Sequence, residues 1–186
     1  MLNKDFSQIL EQAVFQVLIA CVSKTKIGSY VVGGFVRDHL LGRKSGSDID
    51  IVSVGSGIDL AKFVQRKLPG ARPVQVFKSY GTAMVQWNDI TLEFVGARKE
   101  SYSEESRNPE VTSGSLEDDQ NRRDFTINAL AISLNDNNTG ELIDPFNGVE
   151  DLKNGIIKTP LDPSITYSDD PLRMLRAIRF ASQLNF

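Results

Sequence analysis

The run Tyr30-Val31-Val32-Gly33-Gly34-Phe35-Val36-Arg37-Asp38-His39-Leu40-Leu41-Gly42-Arg43-Lys44-Ser45-Gly46-Ser47-Asp48-Ile49-Asp50-Ile51-Val52 decides how the rest of the chain is read. Tyr30 to Val32 read as a strand, Gly33-Gly34 as a turn, and Phe35 to Leu41 as a short helix that Gly42 closes. Strand, glycine turn and helix start together make an anion site. The first N–H groups of a helix lack intrahelical partners and sit at the positive end of its dipole. Asp48 and Asp50 follow one residue apart on a strand, so both point to one face while Ile49 and Ile51 point into a core. Such paired carboxylates can share a hard cation such as Mg²⁺. A phosphate cradle leading into cation-binding acids suggests metal-assisted phosphoryl or nucleotidyl transfer. Alone, Gly-Gly is an ordinary turn and Asp-x-Asp an ordinary strand end. The thirteen residues between Gly34 and Asp48 make the joint pattern far more specific.

Composition narrows the chemistry. The chain has 186 residues, room for one good-sized domain or one plus a fragment. Its 40% hydrophobic and 24% charged residues are ordinary for a soluble globular protein, and no segment approaches the length of a membrane span. The first helix carries charges and lacks a small-residue cleavage site, against a signal peptide. One cysteine, Cys21, and one histidine, His39, exclude an intrachain disulfide and any zinc site built on those residue types. A metal here must be held by carboxylates, which favours Mg²⁺ or Mn²⁺. The net charge of −3 argues weakly against a large nucleic-acid surface, though not against a local basic cleft.

Working outward, Leu2, Phe6, Ile9, Leu10, Ala13, Val14, Val17, Leu18 and Cys21 recur at helical spacing and predict one amphipathic helix packed on a sheet. Lys24 to Ser29 reads as a loop. A helix is expected from about Ile58 to Leu68, stopped by Pro69-Gly70, then a short strand over Pro73 to Phe77. Gly81 to Trp87 and Ile90 to Val95 read as a hairpin turning at Asn88-Asp89. Glu93 lies inside that apolar second strand. It is either on the solvent face or a third carboxylate able to ligate a metal or help take a proton from an attacking hydroxyl. Ala97 to Asn121, with Arg98, Lys99, Glu100, Glu104, Glu105 and Arg107, reads as a mobile loop. Arg122-Arg123-Asp124 follows an acidic helix start and is open to an ordinary salt-bridged reading. Strands are expected over Ala129 to Leu134 and Glu141 to Ile143, a tight turn over Asp144 to Gly148, and a short helix with an exit strand to Ile157. Pro160 and Pro163 mark a boundary. Ser168-Asp169-Asp170-Pro171 then starts a helix with Arg173, Arg176 and Arg179 along one sector and Leu172, Leu175, Ile178 and Phe180 as core contacts.

Taken together, Gly33-Gly34, Asp48-x-Asp50, Arg122-Arg123-Asp124, Asp144-Pro145-x-x-Gly148 and Asp169-Asp170-x-x-Arg173 resemble the ordered motifs of class II tRNA nucleotidyltransferases. These are the CCA-adding enzymes and bacterial poly(A) polymerases, within the DNA polymerase beta nucleotidyltransferase superfamily. The resemblance runs from about Val31 to Phe186. It implies an α+β head, a mixed, mostly antiparallel sheet of about five strands backed by helices on one face with the active site on the other. The expected division is a catalytic head over 1–158 and the start of a helical neck over 159–186. It implies two divalent ions (Mg²⁺ or Mn²⁺) on Asp48 and Asp50, with Glu93 the third acid. It further implies Gly33, Gly34 and Arg37 near the triphosphate, Arg123 on the nucleotide, and Asp124 on the ribose. Asp170 and Arg173 resemble the side chains that read the base, and Arg176 and Arg179 would support them. A carboxylate accepting from the exocyclic amine shared by C and A, beside a donating arginine, gives a reason to reject U and G. The implied substrates are CTP, ATP and the 3′ end of tRNA, in the cytoplasm and away from membranes.

Two departures stand out. Many relatives begin the last motif Glu-Asp where this chain has Asp169-Asp170, and relatives continue into further helical regions that grip tRNA. The chain is therefore expected to be a fragment carrying the catalytic head, one that keeps the nucleotide site but binds tRNA poorly. A poly(A) polymerase or a specialised CC- or A-adding enzyme shares nearly all these motifs. An inactive RNA-binding homologue and a small-molecule nucleotidyltransferase are the alternatives of other classes.

Overall fold

The computed structural model describes residues 2, 5–43, 46–103 and 106–186; for 79, 100–103 and 106–111 it describes the backbone alone. The chain opens with helices α1 (Ser7–Leu10) and α2 (Ala13–Thr25), not the single expected helix. Gln12 breaks it, with extended backbone (φ −63°, ψ 145°). The break folds the first turn back: Phe6 is buried, with its ring 4.5 Å from that of His39, and Asp5 accepts from the Ser7 N–H at 2.9 Å. Strand β1 (Gly28–Val32) starts earlier than the sequence suggested, leaving only a short turn after α2. Then come α3 (Gly34–Leu40), β2 (Asp48–Val54) and α4 (Gly57–Gln65), the last capped by Ser56 Oγ accepting from the Asp59 N–H. Strand β3 (Gln75–Phe77), a 3₁₀ turn (Lys78–Tyr80), β4 (Thr82–Trp87) and β5 (Ile90–Gly96) follow, with Asn88 left-handed at the hairpin tip.

The expected mobile loop over 97–121 is instead β6 (Arg98–Ser103) paired antiparallel with β7 (Ser106–Ser113), then α5 (Leu116–Asn121). Glu104 and Glu105, like Lys44 and Ser45, lie outside the described residues. Ser115 and Asp118 form a reciprocal capping box that fixes where α5 begins. A 3₁₀ turn (Thr126–Asn128), β8 (Ala131–Ser133), β9 (Leu142–Ile143) and α6 (Gly148–Asn154) come next. No exit strand follows α6; the segment is tied in by the Thr126 N–H donating to the Lys158 carbonyl at 2.8 Å. Helix α7 (Pro163–Asp169), which the sequence reading missed, has Asp162 as its cap and Pro163 in its first turn. Helix α8 (Leu172–Leu184) ends the chain.

The main sheet has strand order β3-β4-β5-β2-β1-β8-β9, two short strands more than the expected five. Its pairs are antiparallel except β2 with β5, which run parallel. Alternation splits the sheet into two faces. Val31, Ile49, Ile51, Leu92 and Phe94 join the buried cluster that includes Leu18 of α2 and Leu60 and Val64 of α4. Val32, Asp50, Val52, Glu93 and Val95 point the other way, where a small cluster of Val32, Val52, Ala97 and Ala131 seals part of the floor.

One expectation fails on α8. Leu172, Leu175 and Ile178 are 51%, 64% and 69% exposed and are not core contacts. The side of the helix that meets the rest of the chain carries Arg173, Arg176 and Leu184 together with Phe180, the one of the four expected contacts that is buried. At 100° per residue, that choice turns Leu172, Leu175 and Ile178 outward. Arg43 secures the far end by donating to the carbonyls of Gln183 and Leu184 at 3.1 and 3.2 Å.

Candidate active site

The register of three strands builds one wall. Asp50 lies opposite Val32 of β1 and opposite Glu93 of β5, so both acids stand on one cross-strand row of the open face. Asp48, at the exposed start of β2, shares that face two residues away. Gly33 comes straight after Val32 and has φ +74°, a conformation that disfavours any side chain. A Cβ there would meet Asp50 Oδ2 at 3.5 Å and Arg123 Nη1 at 3.3 Å, so the glycine keeps the backbone open beside the acid. Its own N–H already donates to the Leu130 carbonyl at 3.3 Å. Gly33 thus offers close approach rather than a spare donor. Gly34 begins α3 beside the Arg37 guanidinium.

Helix α5 and the turn after it build the facing wall. Asp119 is fully buried and pairs with both Arg122 and Arg123, the latter at 2.9 Å. The i,i+3 and i,i+4 spacings of one helical turn bring both guanidiniums to that carboxylate. Arg123 also donates to the Asn128 carbonyl at 3.3 Å. Asp124 is buried and accepts on both oxygens: Oδ1 from the Phe125 N–H and Asn128 Nδ2, Oδ2 from Arg176 Nε at 2.8 Å and Nη2 at 2.6 Å. From α8, Arg173 donates to the carbonyls of Arg122 at 2.8 Å and Thr166 at 3.3 Å. Asp170 Oδ1 accepts from the Leu172 N–H at 3.1 Å and so caps the helix from which those arginines project.

Between these walls lies a cleft of about 380 Å³, lined by Asp50, Glu93, Arg123, Asp124, Asp170, Arg173 and Arg176, with Arg122 and a floor of Val32, Val52 and Val95. Several expected site residues stand elsewhere. Arg37 is only 4% exposed and is bonded to Asp38 and Asn128, so it reaches the cleft through Asn128 and Asp124 rather than directly. Arg179 lies over the Phe180 ring at 4.8 Å, off the lining. Asp119 and Arg122 were not singled out from the sequence as site residues. The spacing of an acid three and four residues before two arginines was the available signal.

Electrostatics differ across the cleft. Burial pushes the Asp50 carboxyl above the usual carboxylate range; Arg123 opposes this, while the charges of Asp48 and Asp119 add to it. Glu93 is also raised, first by burial against the cleft floor and then by Asp50 and Asp48. Like-charged acids on adjacent strands are a poor arrangement unless something positive joins them. Among the described residues, no three His, Cys, Asp or Glu side chains converge tightly enough to cage a metal as they stand. The donor chemistry at Asp48, Asp50 and Glu93 is all-oxygen, which suits a hard cation that keeps some of its water.

Comparison with known proteins converges on one family. A family model described as the poly(A) polymerase head domain matches residues 29–158. The A-adding tRNA nucleotidyltransferase of Aquifex aeolicus (strain VF5) is 46% identical over 158 residues, covering 85% of this chain and 19% of that protein. The CCA-adding enzyme of Anoxybacillus flavithermus (strain DSM 21510 / WK1) is 40% identical, covering 100% of this chain and 43% of that one. A solved CCA-adding enzyme, apo form II, superposes with a TM-score of 0.86 at 36% identity, over 100% of this chain and 45% of its own. A tRNA nucleotidyltransferase complexed with a primer tRNA and an incoming ATP analogue gives 0.78 at 40% identity, over 91% and 45%. The chain thus spans less than half the length of each of these relatives.

Proposed function

The chain belongs to the poly(A) polymerase head-domain family, and from that premise we propose that it carries the transfer site of an enzyme adding C and A to tRNA 3′ ends. The observation that carries this reading is the row of Asp50 and Glu93, with Gly33 at one end, facing a wall of arginines across one cleft. Residues 1–158 act as the head and 159–186 as the start of the neck.

Asp48 and Asp50 would hold Mg²⁺ or Mn²⁺, which stabilises charge on the attacking and leaving oxygens when bound. The triphosphate of CTP or ATP lies toward Gly33, where backbone can come close, with Arg123 on its oxygens. Asp124 addresses the ribose, and Asp170 with Arg173 the base; Arg176 and Arg179 act in support. The RNA 3′-oxygen attacks the α-phosphorus, the bond to the bridging oxygen breaks, and pyrophosphate leaves. Glu93, on the cross-strand row beside Asp50, is the carboxylate that would take the 3′-hydroxyl proton. Arg37 serves by holding Asn128 and hence Asp124.

A second reading, A addition alone, is favoured by the likeness to an A-adding enzyme. Incubation with tRNA lacking CCA and CTP only, ATP only, or both separates them. Extension by C and then A supports the first reading, and extension by ATP only on a tRNA already ending in CC supports the second. Absence of magnesium-dependent pyrophosphate release would sink both and leave an inactive homologue. Among the described residues no helix is long and apolar enough to cross a membrane.

A further inference from the structure

Beyond Glu93 the open face of the sheet continues into a second hollow of about 410 Å³. Phe77 of β3, Tyr80 of the 3₁₀ turn and Arg98 of β6 line it, and it shares Glu93, Val95 and Arg122 with the transfer cleft. The strand order sets its place. Gly33 and β1 lie on one side of the acid row, and β4 and β3 lie on the other. An in-line displacement keeps the attacking oxygen and the departing pyrophosphate on opposite sides of the phosphorus. With the triphosphate toward Gly33, the acceptor hydroxyl enters over Glu93 from the side of Phe77 and Tyr80.

Those two rings are 45% and 70% exposed at the mouth of a polar cleft. Exposed aromatics beside cations suit single-stranded nucleic acid, whose bases stack on rings while arginine and lysine follow the phosphates. The cations are present in Arg98, Arg122 and Lys78, which lies on the turn between the rings. We infer that Phe77 and Tyr80 form a stacking platform for the last unpaired nucleotides of an RNA acceptor, with Lys78 and Arg98 on its backbone. This inference rests on the nucleotidyl-transfer reading. Stacking tolerates any base, which suits an acceptor whose terminal base changes as it grows.

The test compares the parent protein with Phe77→Ser/Tyr80→Ser and with Tyr80→Trp. Binding of a fluorescent single-stranded RNA pentamer ending in CC is read by anisotropy, and Mg-CTP binding by calorimetry. The double serine variant should bind the pentamer about 10- to 100-fold more weakly, at roughly the loss of one stacked base, with CTP affinity and melting temperature unchanged. Tyr80→Trp should keep RNA affinity, and two abasic terminal nucleotides in the pentamer should reproduce the serine defect. Unaltered RNA binding in the serine variant, or an equal loss of CTP binding, would overturn the platform. A parent protein that binds CTP but not the pentamer overturns this inference alone; one that binds neither overturns the transfer reading with it.

Discussion

On the sheet wall, Asp48, Asp50 and Glu93 stand as neighbouring acids; burial and then nearby carboxylate charges raise the proton affinity of Asp50 and Glu93, with Arg123 opposing at Asp50. On the helix wall, Arg123, Arg173 and Arg176 each already hold a carboxylate or carbonyl, and Asp119 and Asp124 are saturated by arginines and amides. On the proposed function, the first wall would gain further positive charge from a bound cation. The second is complete without ligand and must exchange partners to bind one. Asp124 shows this most clearly. Four donors occupy its two oxygens, so a ribose hydroxyl gains it only by loosening one of those bonds, with the partly exposed Arg176 the easiest to move.

If that contrast is correct, the same change has opposite meanings on the two walls. Asp48→Ala should lower pyrophosphate release by at least about 10³-fold, taking several kcal/mol for lost charge stabilisation, without lowering the melting temperature. A stability loss would mean that the sheet acids are structural. Asp119→Ala should show in stability, whatever its effect on turnover through Arg123. It strands two arginines beside a fully buried hole and should cost about 3 kcal/mol in denaturant unfolding, the low end for a broken buried pair because both guanidiniums reach cleft water. A neutral result would place those arginines in the same unsatisfied class as the acids. A double-mutant cycle of Asp124→Ala and Arg176→Ala should give a coupling of about 1 kcal/mol in the absence of nucleotide. That coupling should shrink once Mg-ATP is bound, if the ribose takes over the contact.

The smallest effect is on pH dependence, and its sign differs between the walls. Asp50 is raised in the fold by burial, so the native state holds more protons than the unfolded one between the unfolded and folded values. Stability falls as pH climbs through that window, and Asp50→Asn should melt higher than the parent at neutral pH, with the gain vanishing in acid. Asp118 is lowered by its bonds from the Ser115 backbone N–H and hydroxyl. Its contribution is full above the unfolded value and disappears as pH falls through the folded one. Asp118→Asn should therefore melt lower at neutral pH and match the parent in acid. Melting curves taken without divalent cations from neutral pH to below both values read both signs, and equal slopes for the two variants would erase the distinction.

The sheet wall was legible in the sequence because strand and turn chemistry are local. Gly33, the alternation through Asp48 to Ile51 and the Asn88 turn each announce themselves within a few residues. The helix wall was only half legible. Arg122-Arg123-Asp124 and Asp170-x-x-Arg173 could be marked, but the burial of Asp119 depends on what closes over it. The hairpin of β6 and β7 carries almost no hydrophobic period to read, because it pairs with itself apart from the main sheet. On α8 the apolar stripe was visible, yet its direction was not. Leucine is the usual guide to the buried side, and here Arg173 and Arg176 take that side because the carbonyls of Arg122 and Thr166 and the carboxylate of Asp124 receive them there.

The parallel pairing of β2 with β5 carries one more consequence. Asp50 and Glu93 become neighbours only after residues 55–89 have folded back to lay one strand beside the other. Such distant pairings spend loop entropy before they are rewarded and tend to form late in folding. In a half-assembled chain Glu93 therefore stands apart from Asp48 and Asp50, and the proposed magnesium site would lack its third acid. The metal would then slow the loss of the finished fold while leaving the speed of its formation untouched.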